Sequence, residues 1–148
     1  MSVRVQEAAF DFGAEANAFA ARCRGAGAVV TFSGITRDLG RDALDRMVIE
    51  HYPGMTERAL ERIEAEARAR WNLADALIIH RFGAMAPGDM IMMVATAARH
   101  RAEAFAAAEF LMDFLKSRAP FWKKEVTATG GESWVESRDA DEAALKRW

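Results

Sequence analysis

The sequence predicts a single α+β domain spanning residues 1–148, and three observations carry that expectation. Strand-like and helix-like segments alternate irregularly, which argues against a doubly wound parallel sheet and for a mixed or antiparallel sheet with packed helices. Leu60, Ile63, Ala67 and Trp71 recur at helical spacing and form one apolar stripe. Ala28-Val29-Val30-Thr31-Phe32 is β-branched and apolar, as a mostly buried strand requires. No repeat, low-complexity tract or Pro/Gly/Ser linker divides the chain.

Val3 to Gln6 reads as a short strand. Asp11 offers an N-cap for a helix through Arg24, closed by Gly25 and Gly27. After the strand at 28–32, Ser33 to Gly40 reads as a polar loop with glycines where the chain turns. Met47 to Tyr52 is the next strand, stopped by Pro53-Gly54. Thr56 begins the clearest helix, in which Glu64/Arg68 and Glu66/Arg70 sit one turn apart on the face expected to be exposed.

Ala76 to Phe82 and Met90 to Ala97 read as strands around a turn at Pro87-Gly88-Asp89. A long Ala-rich helix runs from His100 to Arg118, with Phe105, Ala108, Met112 and Leu115 on one stripe, and Pro120 cannot continue it. Phe121 to Ala128 and Ser133 to Glu136 form an expected hairpin around Gly130-Gly131, and Asp139 is placed to cap a short terminal helix.

Composition narrows the function classes. Half the chain is apolar (51%) and 28% is charged, the balance of a globular protein. A net charge of −2 argues against a broad nucleic-acid footprint, so any basic site must be a local concentration of Lys and Arg. No apolar run approaches the roughly 20 residues that span a bilayer, and Val3 to Glu7 lacks the apolar stretch of a signal peptide. The lone Cys23 excludes an internal disulfide and fits a reducing compartment, so a cytoplasmic location is the default expectation.

His51, His80 and His100 are scattered, without the paired spacing of a metal site, and neither a Walker A pattern nor a Gly-x-Ser-x-Gly elbow occurs. No metal or cofactor is expected. Cys23, between Arg22 and Arg24, reads either as a thiol of lowered pKa or as a small residue packed near a helix end. Arg37, after a strand end and a glycine-containing turn, reads either as part of an anion site or as a solvated loop arginine.

His100 and Arg101 precede a long helix, where phosphate is favoured and cations oppose the dipole. That conflict marks either a functional site or chance. Lys116, near the helix end, is explained by the dipole alone. The segment it opens is less ordinary: Lys116 to Glu125 packs Pro120, Phe121 and Trp122 among Lys116, Arg118, Lys123 and Lys124. Aromatics beside ammonium groups can hold a flat anionic heterocycle, or can simply be core. A lysine among cations and partly desolvated has a lowered pKa, which suits acid–base or covalent work.

The stretches Ala28 to Gly34, Glu50-His51-Tyr52-Pro53-Gly54-Met55-Thr56, His80-Arg81-Phe82-Gly83, Pro87-Gly88-Asp89, His100-Arg101, Met112 to Lys116, Arg118 to Glu125 and Trp134-Val135-Glu136 resemble the molybdopterin synthase large subunit, in order, from about Val29 to Trp148. That resemblance implies an α/β-hammerhead-like fold. It also implies conversion of a cyclic pyranopterin monophosphate to molybdopterin by inserting two sulfurs as a dithiolene. The sulfur would come from a small partner subunit whose C-terminal Gly-Gly ends as a thiocarboxylate, its tail threading into a pocket near Lys116. A central homodimer with one small subunit at each end, a heterotetramer, is implied as well.

Carried over by position, Lys116 and Lys123 are implied as the catalytic lysines, with Lys124 and Glu125 lining the same pocket. Ile35, Thr36 and Arg37 are implied to bind substrate. His100 and Arg101 would reach across the dimer to the neighbouring subunit's site, and Met112 would pack nearby without a catalytic role. The chain departs from the pattern at Ile35-Thr36-Arg37, where relatives often carry Lys or Val. It departs also at Lys124, which replaces a frequent Arg, and in a short loop from Asp38 to Asp45. The alternative is a non-catalytic module that binds a phosphorylated heterocycle or a partner's C-terminal tail. A purely structural dimer ranks below it, and a nucleic-acid module is weakest.

Overall fold

The computed structural model describes residues 2–37, 44–135 and 139–148. The expected α+β architecture is present, its strands divided between two four-stranded sheets. Among the described residues, twelve elements run in the order β1 (Val3–Gln6), α1 (Phe12–Arg22), β2 (Ala28–Ile35), β3 (Leu44–His51), α2 (Met55–Trp71), β4 (Asp75–Arg81), β5 (Gly83–Met85), β6 (Met90–Ala98), α3 (Arg101–Ser117), β7 (Phe121–Thr127), β8 (Glu132–Val135) and α4 (Asp139–Leu145). The first sheet has the order β1-β4-β6-β2 and is mixed, with β1 parallel to β4 and the other pairs antiparallel. The second, β5-β3-β7-β8, is wholly antiparallel. The chain passes from one sheet to the other at Phe82, where Gly83 takes a φ of 91°.

The central strands β4 and β6 are buried almost throughout, because helices cover both faces of the first sheet. Ile78 and Val94 face one way, into a core with Leu60, Ile63 and Leu111 from α2 and α3. Leu77, Ile79 and Met93 face the other way, onto Phe19 and Cys23 of the α1 region. Strand alternation thus feeds two cores from one sheet. Asp11 caps α1 as expected, accepting from the Ala14 N–H at 3.0 Å, although the helix ends at Arg22 with Cys23 as its C-cap.

Several sequence expectations need correction. The run at 28–32 extends to Ile35, so Ser33 and Gly34 are strand, and it forms a sheet edge rather than a mostly buried strand. Val29, Phe32 and Ile35 are 40%, 42% and 56% exposed. In α3 the buried face is Ala104, Ala107, Ala108, Leu111 and Leu115, while Phe105 points outward. Glu64 is buried: its carboxylate pairs with Arg68 and accepts from Ser2 Oγ, and Arg68 also reaches Asp75 at 2.7 Å. Only Glu66 and Arg70 make the expected exposed pair. β5 was not foreseen, and α4 begins at Asp139 rather than after it. Most of the expected loop from Asp38 to Asp45 (38–43) and Glu136 lie outside the described residues.

Gly27 is set by a close approach. A Cβ there would stand 2.3 Å from the Arg99 carbonyl oxygen, and its N–H donates to the Ala98 carbonyl at 3.0 Å. Gly27→Ala is therefore expected to destabilise by about 1–3 kcal/mol, through displacement of the turn that carries His100. A lowered urea midpoint measures it.

Candidate active site

A cleft opens at the seam between the two sheets. Its walls are Phe32, Gly34 and Ile35 of β2, His80 of β4, Ile91 and Met92 of β6, Met112, Leu115 and Lys116 of α3, and Lys123 of β7. Local rules place the two lysines. Lys116 lies in the last turn of α3, and Pro120 ends the helical run so that the chain returns as β7. Alternation along β7 then turns Phe121, Lys123 and Glu125 to the inner face, and Trp122 and Lys124 to the outer one.

The electrostatics are unusual. Lys123 is largely enclosed, and burial, reinforced by the Lys116 ammonium and opposed by the Asp141 carboxylate, lowers its pKa from 10.5 to about 8. His80 is 3% exposed and stacks on Phe121 with ring centroids 3.7 Å apart, joining the two sheets. Its Nδ1–H donates to the Arg81 carbonyl at 2.8 Å. Burial lowers its pKa to about 3, and the charges of Lys123, Lys116 and His51 act the same way against that hydrogen bond. Two bases of lowered proton affinity sharing one cleft mark it as a candidate functional site.

The linkage has a definite sign. The His80 value is depressed from 6.5 to about 3, so its contribution to stability is complete above pH 6.5 and lost as pH falls toward 3. Stability should fall in that window with a slope approaching ~1.4 kcal/mol per pH unit. Asp75, which is also lowered, acts in the same direction at lower pH. Urea midpoints at pH 7 and pH 4 for the wild type and His80→Phe isolate the histidine, whose removal should flatten the profile.

The structure brings together some of the expected residues and separates others. Lys116, Lys123 and Ile35 share the cleft, with Met112 beside them. Thr36 is buried, its backbone bonded to Asp89 and Gly88, with Oγ1 unpartnered. Arg37 is exposed at the end of the first described segment. Lys124 lies on the outer face of β7, 3.9 Å from Glu132 and over the Trp134 ring, not in the cleft. Glu125 is half-buried on the inner face, opposite Met47, and does not line the cleft.

His100 and Arg101 are exposed at the start of α3. The helix carries them roughly 22 Å from Lys116, at about 1.5 Å per residue, so within one chain they do not meet the lysines. His80 was missed as a site residue; the available signal was a histidine inside the apolar run Ala76 to Phe82. Cys23 is 8% exposed in the second core, and burial raises its pKa, followed by the charge of Asp75. Its thiol is therefore held in the unreactive form. Among the described residues, no cluster of His, Cys, Asp or Glu has the arrangement of a metal site, and no helix is long and apolar enough to cross a membrane.

Comparison with known proteins identifies the family. The family model described as MoaE protein matches residues 5–118. The molybdopterin synthase catalytic subunit of Cereibacter sphaeroides is 68% identical over 148 residues, covering 100% of both chains. Its counterpart in Pseudomonas aeruginosa is 54% identical, covering 100% of this chain and 99% of its own. Among solved structures, the molybdopterin biosynthesis MoaE protein of Burkholderia ambifaria superimposes with a TM-score of 0.82 at 52% identity, covering 100% of this chain and 98% of that one. A Helicobacter pylori complex of subunits 1 and 2 of molybdopterin-converting factor shares the fold at 17% identity, with a TM-score of 0.80 and coverage of 93% and 92%. The chain belongs to the MoaE protein family.

Proposed function

We propose that this chain is the catalytic subunit of a molybdopterin synthase, its 148 residues forming one large-subunit domain that converts a cyclic pyranopterin monophosphate to molybdopterin. The observation that carries the reading is the pairing of Lys116 with a largely enclosed Lys123 of lowered pKa in one cleft, in a chain whose relatives are named for that activity. The sulfur donor is a small subunit ending in a Gly-Gly thiocarboxylate. The chain's own Cys23 is buried away from the cleft, which supports an outside source.

In the proposed chemistry, the thiocarboxylate sulfur attacks a side-chain carbon of the pterin, displacing that carbon's oxygen substituent. Water then cleaves the acyl–sulfur bond, leaving the sulfur on the pterin and a carboxylate on the partner's C-terminus. Lys123 stabilises the charge that develops. Lys116 moves a proton or bonds transiently to the substrate or the partner's acyl carbon. Ile35 lines the cleft, and Thr36 and Arg37 follow it in the chain as the proposed substrate-binding turn, Arg37 supplying charge for the phosphate. Lys124 and Glu125 flank Lys123 on the outer and inner faces of β7, Lys124 pairing with Glu132 of β8. The chain acts in the cytoplasm without a resident cofactor.

His100 and Arg101 are proposed to serve the neighbouring subunit's cleft in a central homodimer, with a small subunit at each end. Their separation from the lysines along α3 supports this. Mixing Lys116→Ala and Arg101→Ala chains tests it. Each mixed dimer would hold one cleft with both residues intact, so activity should recover to about a quarter of wild type when half the dimers are mixed. Absence of recovery in exchanged dimers contradicts a shared site.

Reconstitution tests the reading as a whole. Mixed with the thiocarboxylated partner and the cyclic phosphate, the chain should yield the dithiolene product. A stable complex without product would favour the non-catalytic binding module instead.

A further inference from the structure

We infer that His80 is a hydrogen-bond-accepting subsite of the cleft, which receives an amide-type N–H of the bound ligand at Nε2. The inference rests on the proposed role of the cleft as the ligand site. The geometry fixes the tautomer. The Arg81 carbonyl can only accept, so the nitrogen 2.8 Å from it, Nδ1, carries the hydrogen, and in the neutral ring the lone pair is on Nε2. The flat stack on Phe121 and near-complete burial leave the ring no freedom to turn away.

Among the described residues, Nε2 has no hydrogen-bond partner. The sealed, unpartnered side-chain atoms belong to Thr36, His51, Glu103 and Ser117, none to His80. An unpartnered nitrogen that is not sealed, on a residue lining the cleft, opens into that cleft. The other polar side chains of the lining are Lys116 and Lys123, and ammonium groups only donate. The remaining walls are hydrocarbon, thioether or Gly34. His80 is therefore the nitrogen or oxygen acceptor that the lining side chains offer.

The complementary ligand pairs an anionic group, for the lysines, with a nearby neutral N–H. Two carriers share that chemistry: the terminal peptide amide of a Gly-Gly tail and a ring amide of the pterin. A ligand without such an N–H would leave Nε2 unpaired in a buried site, which is unfavourable. Burial and the neighbouring charges of Lys123, Lys116 and His51 keep the ring neutral and so preserve the acceptor.

The test titrates the wild-type chain and His80→Phe, which keeps a ring on Phe121 but removes both nitrogens. The two probes are a peptide ending in Gly-Gly, with and without N-methylation of its last amide, and the cyclic pyranopterin monophosphate. Loss of one such bond should weaken the cognate probe by about 3- to 10-fold in the variant. If the peptide is the source, N-methylation should weaken binding to the wild type and not to His80→Phe; if the pterin is, only its affinity should fall.

A measurement on the wild type stands if the variant fails to fold. The lone-pair Nε2 resonance of 15N-labelled His80 should move upfield on adding the cognate probe. Unchanged affinities in a folded variant, or an unmoved resonance with probe bound, would overturn the His80 assignment and leave the functional reading intact. Failure of the wild type to bind either probe would overturn both.

Discussion

Replacing Lys116 with alanine is expected to cut dithiolene formation by about 10²- to 10⁴-fold, the range for loss of a positioned acid–base group. The fold should be untouched, because the Lys116 side chain is exposed at the end of α3 and carries no core packing. The same change removes a cation that lowers Lys123, so the Lys123 pKa should rise in the variant. Turnover under saturating partner and substrate separates loss of chemistry from loss of binding. Near-normal turnover would remove Lys116 from the mechanism.

Replacing Lys123 with methionine should abolish turnover and make the protein more stable. The folded-state value of Lys123, about 8, lies below its ordinary 10.5, so between those values the unfolded chain binds more protons and stability rises with pH. Below pH 8 the full cost of enclosing the ammonium is present. Methionine keeps the hydrocarbon stem without the charge, so a gain on the order of 2–3 kcal/mol at pH 7 is expected, shrinking toward pH 10.5. Urea unfolding of both proteins at pH 7 and pH 10 measures the difference. A destabilised Met variant at pH 7 would show that Lys123 is held for structure. The combination of gained stability and lost activity is the mark of a strained functional group.

Much of this arrangement was legible in the chain because it is written locally. The Asp11 cap, the Leu60/Ile63/Ala67 stripe, the turn at Pro87-Gly88-Asp89 and the hairpin at Gly130 each depend on residues within a few positions. The features that were not legible depend on distant partners. Ala28 to Phe32 has the composition of a central strand, and nothing local says that β2 pairs on one side only. Glu64 reads as a surface residue until Ser2 donates to it and Asp75 pairs with its partner Arg68.

The site divides in the same way. Lys116 and Lys123 lie seven positions apart, so a turn between helix and strand brings both to one cleft. Arg37, His100 and Arg101 stand out by turn and helix-start chemistry as well as by the resemblance, and the structure sets His100 and Arg101 a helix length from Lys116. His80 escaped notice because its role comes from Phe121, 41 positions away, and from a wall assembled from both sheets. The lowered Lys123 pKa could be framed from neighbouring cations, but its largest cause, enclosure, is a property of the assembled fold.

The most direct test of the central claim tracks the sulfur. The chain would be mixed with the cyclic pyranopterin monophosphate and a small subunit whose thiocarboxylate carries heavy sulfur, and the product weighed by mass spectrometry. Molybdopterin with both dithiolene sulfurs heavy is the expected result, with this chain supplying the cleft and lysines and no sulfur of its own. Product carrying light sulfur, or bound partner and substrate with no product at all, would contradict it.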